Sequence, residues 1–259
     1  MRISFFLLTA LFLFAGATEG KLIAKDVDYR EGDTPLQGYL AYDDSFKGVR
    51  PGVLVFHEWM GLGDYEKGRA RELAKMGYIA FAGDIYGKRV RPKTHEEART
   101  ASGALRADRA RIRARAKAAL DILRGHKLTD KKRIAAIGYC FGGTAALELA
   151  RSGADVLGVA TFHGVLDTPN PEDAKNIKGK VLVLHGADDP AIPPEQVLAF
   201  RDEMRKGRVD WQMNVYGGAV HRFTVPGAGN KPETGSAYNE KADRRSWKAL
   251  KLFFEEIFK

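Results

Sequence analysis

The stretch GYCFGG, residues 138–143, decides the fold, and Cys140 within it is the only cysteine of the chain. It lies between an apolar run, RIAAIG, and a helix-like run, TAALELA. Glycines two positions either side of a central residue allow a strand-to-helix turn so tight that a side chain there would collide with it. Such a turn lifts the central side chain off the sheet edge, and the N–H groups that open the next helix point to the same place. A lone cysteine usually packs as a small hydrophobe. At this junction it reads as a nucleophile.

Outward from this turn, strand-like and helix-like segments alternate. Strands are expected at 21–29 and 36–42, then at 51–59, which runs into a loop, and at 78–84, 133–139, 156–164, 180–186 and 210–218. Helices are expected at 64–77, across 94–125, and at 141–153, 193–207 and 241–258. Gly77 suits the left-handed cap that closes the first of them. Alternation of this kind implies an α/β fold, a mostly parallel sheet covered by helices on both faces, with sites beyond the carboxyl ends of the strands. Cys140, Asp189 and His221 each follow such an end.

Composition fits that frame. Of 259 residues, 44% are apolar and 29% charged, an ordinary globular mixture. Arg2, an apolar run over 3–14 and the small residues Ala15-Gly16-Ala17 have the order of a secretory signal peptide. Cleavage is expected after Ala17, leaving one domain over 18–259 and a periplasmic or secreted protein. An uncleaved anchor would need roughly 20 apolar residues. Loss of Arg2 takes the net charge from +9 to +8. Much of the positive charge falls in 106–124, where Leu105, Ile112, Ala116, Ala119, Leu120 and Leu123 recur at helical spacing, so an amphipathic helix with a solvated arginine face is expected. No nucleic-acid motif accompanies it.

A thiol needs a base. Of six histidines, His221 follows the last strand in a loop that Gly217 and Gly218 make pliable, and it is the expected base. His163 ends a strand and is expected to line the site. The segment VLHGADDPAIPP offers Asp188 and Asp189 as the orienting acid. Asp189, directly before Pro190, is preferred, the alternative being that both only cap the turn.

The pieces HEWMG, GDIYG, GYCFGG, LHGADDP and GGAVHRF, in this order over nearly all of the mature chain, resemble the dienelactone hydrolase family of α/β-hydrolases. The resemblance implies a Cys-Asp-His triad of Cys140, Asp189 and His221. It implies that Glu58 pairs with the resting thiol, and that the N–H groups of Trp59 and Phe141 form the oxyanion hole. Members that take dienelactones grip a carboxylate with two arginines. The first position is lysine here, Lys88, with Arg89 beside it; the second is Val225, with Arg222 next to the histidine. Lys88, Arg89, His163 and Arg222 are therefore the expected substrate contacts. A carboxylic ester or lactone is the expected small-molecule substrate of a monomer with no metal, cofactor, nucleic acid or stable membrane anchor. A general carboxylesterase or polyesterase, or a thiol sensor on a hydrolase scaffold, are the alternatives.

Overall fold

In the computed structural model, residues 20–259 are described; the leader reading over 1–17 lies outside them. The first two strands, β1 (Leu22–Glu31) and β2 (Thr34–Asp43), form an antiparallel hairpin in register from Leu22 against Asp43 to Glu31 against Thr34. Then come β3 (Arg50–Phe56), α1 (Asp64–Lys75), β4 (Ile79–Gly83), α2 (His95–Arg106), α3 (Arg109–Gly125) and β5 (Thr129–Tyr139). The chain continues through α4 (Phe141–Arg151), β6 (Gly158–Phe162), β7 (Lys180–Gly186), α5 (Pro194–Lys206), β8 (Trp211–Tyr216) and α6 (Glu240–Ile257).

All eight strands join one sheet in the order β1-β2-β4-β3-β5-β6-β7-β8. From β4 to β8 the pairs are parallel, and β2 meets β4 antiparallel. Residues of β4 and β6, and most of β3 and β7, are buried, as strands with helices on both faces must be. Leu54, Phe81, Ile112, Leu147 and Phe200 belong to the core under α2–α5; Val55, Leu73, Phe162, Leu250 and Phe254 belong to the core under α1 and α6. The chain runs from β3 outward to β4 and returns to β5 on the other side of β3. That reversal opens a crevice at the carboxyl ends of β3 and β5, where the turn carrying Cys140 lies.

The continuous helical region expected over 94–125 is two helices. Asp108 breaks it: its carboxylate accepts the Arg111 N–H at 3.0 Å and caps α3, a role short polar side chains prefer over a helix interior. Arg106 therefore ends α2 and does not belong to the arginine-rich face. That face is also less solvated than expected. Arg109 pairs with Asp167, Arg113 joins Glu148 to Asp173, and Arg115 donates to the Ile85 and Tyr86 carbonyls. Arg109 and Arg115 are buried. No helix among the described residues is long and apolar enough to cross a membrane.

Candidate active site

Cys140 sits between β5 and α4 with φ +52° and ψ −114°, a strained conformation for a side chain that carries a Cβ. Two glycines make the turn possible. A Cβ on Gly138 would lie 1.9 Å from the Gly142 carbonyl oxygen, and one on Gly142 would lie 2.2 Å from that of Phe56. The turn is thus pressed against the backbone at the end of β3, and the Cys140 N–H donates to the Phe162 carbonyl of β6 at 3.1 Å.

The structure brings the three expected residues into one hydrogen-bonded chain. His221 Nε2 lies 3.1 Å from Cys140 Sγ, and its Nδ1 lies 2.8 Å from Asp189 Oδ2. Asp189 Oδ1 accepts the Ala191 N–H at 2.9 Å. Asp188 turns the other way and accepts the Gly218 N–H, so it serves the turn after β8. Burial by itself lowers the His221 imidazole's pKa. The negative charge of the Cys140 sulfur and the bond to Asp189 outweigh it, and the pKa is pushed up to about 10.

A strap over 226–239 holds His221 in place. The His221 N–H donates to the Gly235 carbonyl at 3.2 Å, and its carbonyl accepts the Ala237 N–H at 3.1 Å. Gly235, at φ +78°, lies against Pro190; a Cβ there would sit 2.7 Å from the proline ring, so the histidine loop and the aspartate loop close on each other.

Above the sulfur opens a cleft of about 510 Å³. Trp59, Val165 and Ala191 give it an apolar wall, and Trp59 also packs against His95 with the rings tilted and their centroids 5.3 Å apart. Arg222 and Arg106 also line it. The Trp59 N–H has no hydrogen-bond partner among the described residues, and Phe141 opens α4, where the N–H has no partner inside the helix. These are the two groups expected at an oxyanion hole.

Four expectations are corrected. Glu58 is not on the thiol: both its oxygens are within 3.1 Å of Arg222 Nε, and Nη2 lies 2.8 Å from Oε2. A guanidinium fork satisfies a carboxylate better than a thiol does, and the sulfur is already taken by His221. Arg222 lines the cleft with that carboxylate already bound. Lys88 and Arg89 do not line it. The loop after β4 folds back on the hairpin, where the Lys88 N–H donates to the Pro35 carbonyl and its ammonium pairs with Asp28 of β1, while Arg89 is exposed. His163 is fully buried behind His221, ring centroids 5.3 Å apart, with Nε2 2.8 Å from Thr224 Oγ1. Burial first, then the nearby His221 and Arg222, hold its pKa well below the ordinary histidine value, so it is neutral.

Sequence reasoning missed Arg106. It makes no ion pair among the described residues, and its buried Nε has no partner. The signal was the Asp108 cap, which would have placed it at the end of α2.

Known proteins resemble this chain over most of its length. The dienelactone hydrolase family profile matches residues 36–258. Among solved structures, m3DLH superposes with a TM-score of 0.88 at 44% identity, over 91% of this chain and 98% of that one. P91, described as a dienelactone hydrolase-like promiscuous phosphotriesterase from metagenomic libraries, gives 0.86 at 42% identity with the same coverage. Protein usf of Aquifex pyrophilus is 26% identical over 89% of this chain and 97% of its own length. With a parallel sheet, a nucleophile-type turn and a profile that spans both, the chain belongs to the dienelactone hydrolase family and is a hydrolase of α/β-hydrolase fold.

Proposed function

We propose that the protein hydrolyses carboxylic esters or lactones through a thioester intermediate on Cys140. The observation that carries this is the Cys140–His221–Asp189 chain with the sulfur at the floor of an open cleft. The thiolate adds to the carbonyl carbon. The resulting oxyanion is held by the N–H groups of Trp59 and Phe141, whose donation strengthens as charge builds on the oxygen. The tetrahedral species collapses, and the leaving oxygen takes the proton of the His221 imidazolium. Neutral His221 then removes a proton from water, hydroxide attacks the thioester, and the thiolate departs as the acid product forms. Stopped-flow release of p-nitrophenol from p-nitrophenyl acetate, with mass spectrometry of the acylated chain, tests this. Neither turnover nor an acyl adduct on Cys140 would overturn it.

The cleft's free cation favours substrates that carry an anionic group. Arg222 is bound by Glu58, whereas Arg106 faces the cleft unpaired. Arg106→Gln is expected to lower the preference for a carboxylate-bearing ester over its matched neutral analogue about tenfold, the scale of one partly desolvated charge contact. The rate with the neutral ester should change little. An unchanged preference in kcat/KM would place the anion elsewhere.

The likeness to P91 supports a second, promiscuous activity on phosphotriesters with good leaving groups. The thiolate would displace an aryloxide from phosphorus, and water would then release the phosphodiester. Export through the leader is proposed as well, on the order of Arg2, the apolar run and Ala15-Gly16-Ala17. Mass spectrometry of the mature N-terminus, expected at Thr18, tests it; an intact Met1 would count against it.

A further inference from the structure

Trp59 sits in the loop between β3 and α1, and the carbonyls of Glu58 and Trp59 and the N–H groups of Glu58, Gly61 and Gly63 around it are tied down. The Glu58 carbonyl lies 2.6 Å from His57 Nδ1, whose Nε2 accepts the Ile85 N–H, so Nδ1 carries the proton and donates. The Trp59 carbonyl accepts from the Tyr86 hydroxyl at 2.7 Å. A peptide's C=O and N–H point opposite ways. Fixing the Glu58 carbonyl on His57 and on the Gly61 N–H, which donates to it at 3.1 Å, therefore aims the Trp59 N–H in the opposite direction, where it has no hydrogen-bond partner among the described residues. The Glu58 N–H is held by a residue of the next helix: Glu66 Oε1 accepts it at 3.0 Å, and Glu66 Oε2 accepts the Gly63 N–H at 3.0 Å.

The second of these bonds is an ordinary helix cap, a glutamate at the third helical position reaching back to the N–H of the N-cap residue Gly63. The first is not. It reaches eight residues back to the root of the loop, and Glu66 is 3% exposed where capping glutamates usually face water. One carboxylate thus spans both ends of the 58–63 loop.

We propose that Glu66 is a positioning residue for this hydrolase: ionised, it clamps the loop at Glu58 and Gly63 and thereby sets the direction of the Trp59 N–H. The inference rests on the ester-hydrolysis reading above. Protonating Glu66 turns one acceptor oxygen into a hydroxyl, weakens one arm of the clamp and loosens the oxyanion donor. The charged or titratable groups that face it are Glu58 from its own loop, Arg222 from the histidine loop and Tyr139 from β5. Tyr139 stays neutral, because burial holds its phenol well above the ordinary value. Burial first, then the Glu58 charge, push the Glu66 carboxyl up from 4.5 to about 7, so the clamp titrates in the neutral range.

The sign of the effect separates positioning from stability. Between pH 4.5 and 7 the folded protein binds more protons at Glu66 than the unfolded chain does, so this group's contribution to stability falls as pH rises. Activity rises over the same interval, because the clamp forms as the proton leaves. The experiment compares wild type, Glu66→Gln and Glu66→Asp in p-nitrophenyl acetate hydrolysis from pH 5 to 9, with thermal unfolding at each pH. In wild type, kcat should climb through an apparent midpoint near 7. In Glu66→Gln that limb should vanish, and kcat at pH 8 should be about tenfold lower with KM little changed, the scale of one weakened transition-state hydrogen bond. The same variant should gain in melting temperature relative to wild type as pH rises, since its amide never ionises. Glu66→Asp, one methylene shorter, should recover a pH-dependent limb at reduced kcat. Retention of the wild-type limb near pH 7 in Glu66→Gln, or a loss confined to KM, would overturn the proposal. Failure of all three proteins to hydrolyse ester would instead count against the reading it rests on.

Discussion

Cys140→Ala should lower kcat/KM for p-nitrophenyl acetate by about 10⁴-fold or more and remove the burst of p-nitrophenol, the scale expected when a covalent nucleophile is lost. No other group can take over. Cys140 is the only thiol in the chain, and the positive φ that lifts its side chain into the cleft belongs to that position alone among the residues of the turn. The variant should fold, since alanine is smaller than cysteine and the glycines that relieve the turn stay in place. Alkylation of wild type with iodoacetamide should give the same loss, and a substrate ester present during treatment should slow it. Full activity in Cys140→Ala would rule out the thioester route.

Asp189→Asn should cost about 10³- to 10⁴-fold in kcat, through the tautomer and not through packing. The Ala191 N–H decides which way the new amide lies. It donates to Asp189 Oδ1 at 2.9 Å, so the asparagine must place its carbonyl oxygen there and turn its NH₂ toward His221 Nδ1. An NH₂ at that point requires Nδ1 to be the acceptor, which puts the histidine's proton on Nε2 and takes the base away from its task. The same change removes a charge that helps hold the imidazole pKa up to about 10. The alkaline fall in rate should therefore begin at lower pH in the variant, alongside the drop in kcat. Asp188→Asn provides the contrast: its carboxylate serves the Gly218 N–H, and its rate should stay within a few-fold of wild type. Equal losses in the two variants would mean the acid has been misassigned.

The readable parts of this protein were those fixed by local backbone demands. Gly138 and Gly142 mark the turn because no other residue fits there, and that constraint is visible in five letters of sequence. The α/β order followed from buried parallel strands, which are apolar along their whole length. His221 was found by its place after the last parallel strand. What sequence did not carry was side-chain direction over long separations. Lys88 leaves the cleft because Asp28, 60 residues earlier on β1, lies within its reach. Glu58 leaves the thiol because Arg222, 164 residues later, offers a fork. His163 turns from the cleft toward Thr224, a residue with no sequence mark of its own. Arg106 was visible as a charge, yet its position depended on a helix break that a run of good helix formers concealed. Glu66 stands three residues after Gly63, a spacing that suggests a cap; its reach to the Glu58 N–H depends on how the loop folds back.

The strap over 226–239 has a consequence for endurance. It contains two short 3₁₀ turns and no α-helix or long strand, and Lys231–Thr234 at its tip are exposed. Segments with few buried contacts open far more often than the sheet beneath them. Yet the two backbone bonds that hold His221 end on this strap, at Gly235 and Ala237. His221 is thus anchored to a segment expected to open readily, while Cys140 is anchored to the sheet, expected to open least. Warming should separate the two by fraying and not by melting, so that a fully folded sheet can carry an idle thiol, and cooling should restore the pair without any refolding of the core.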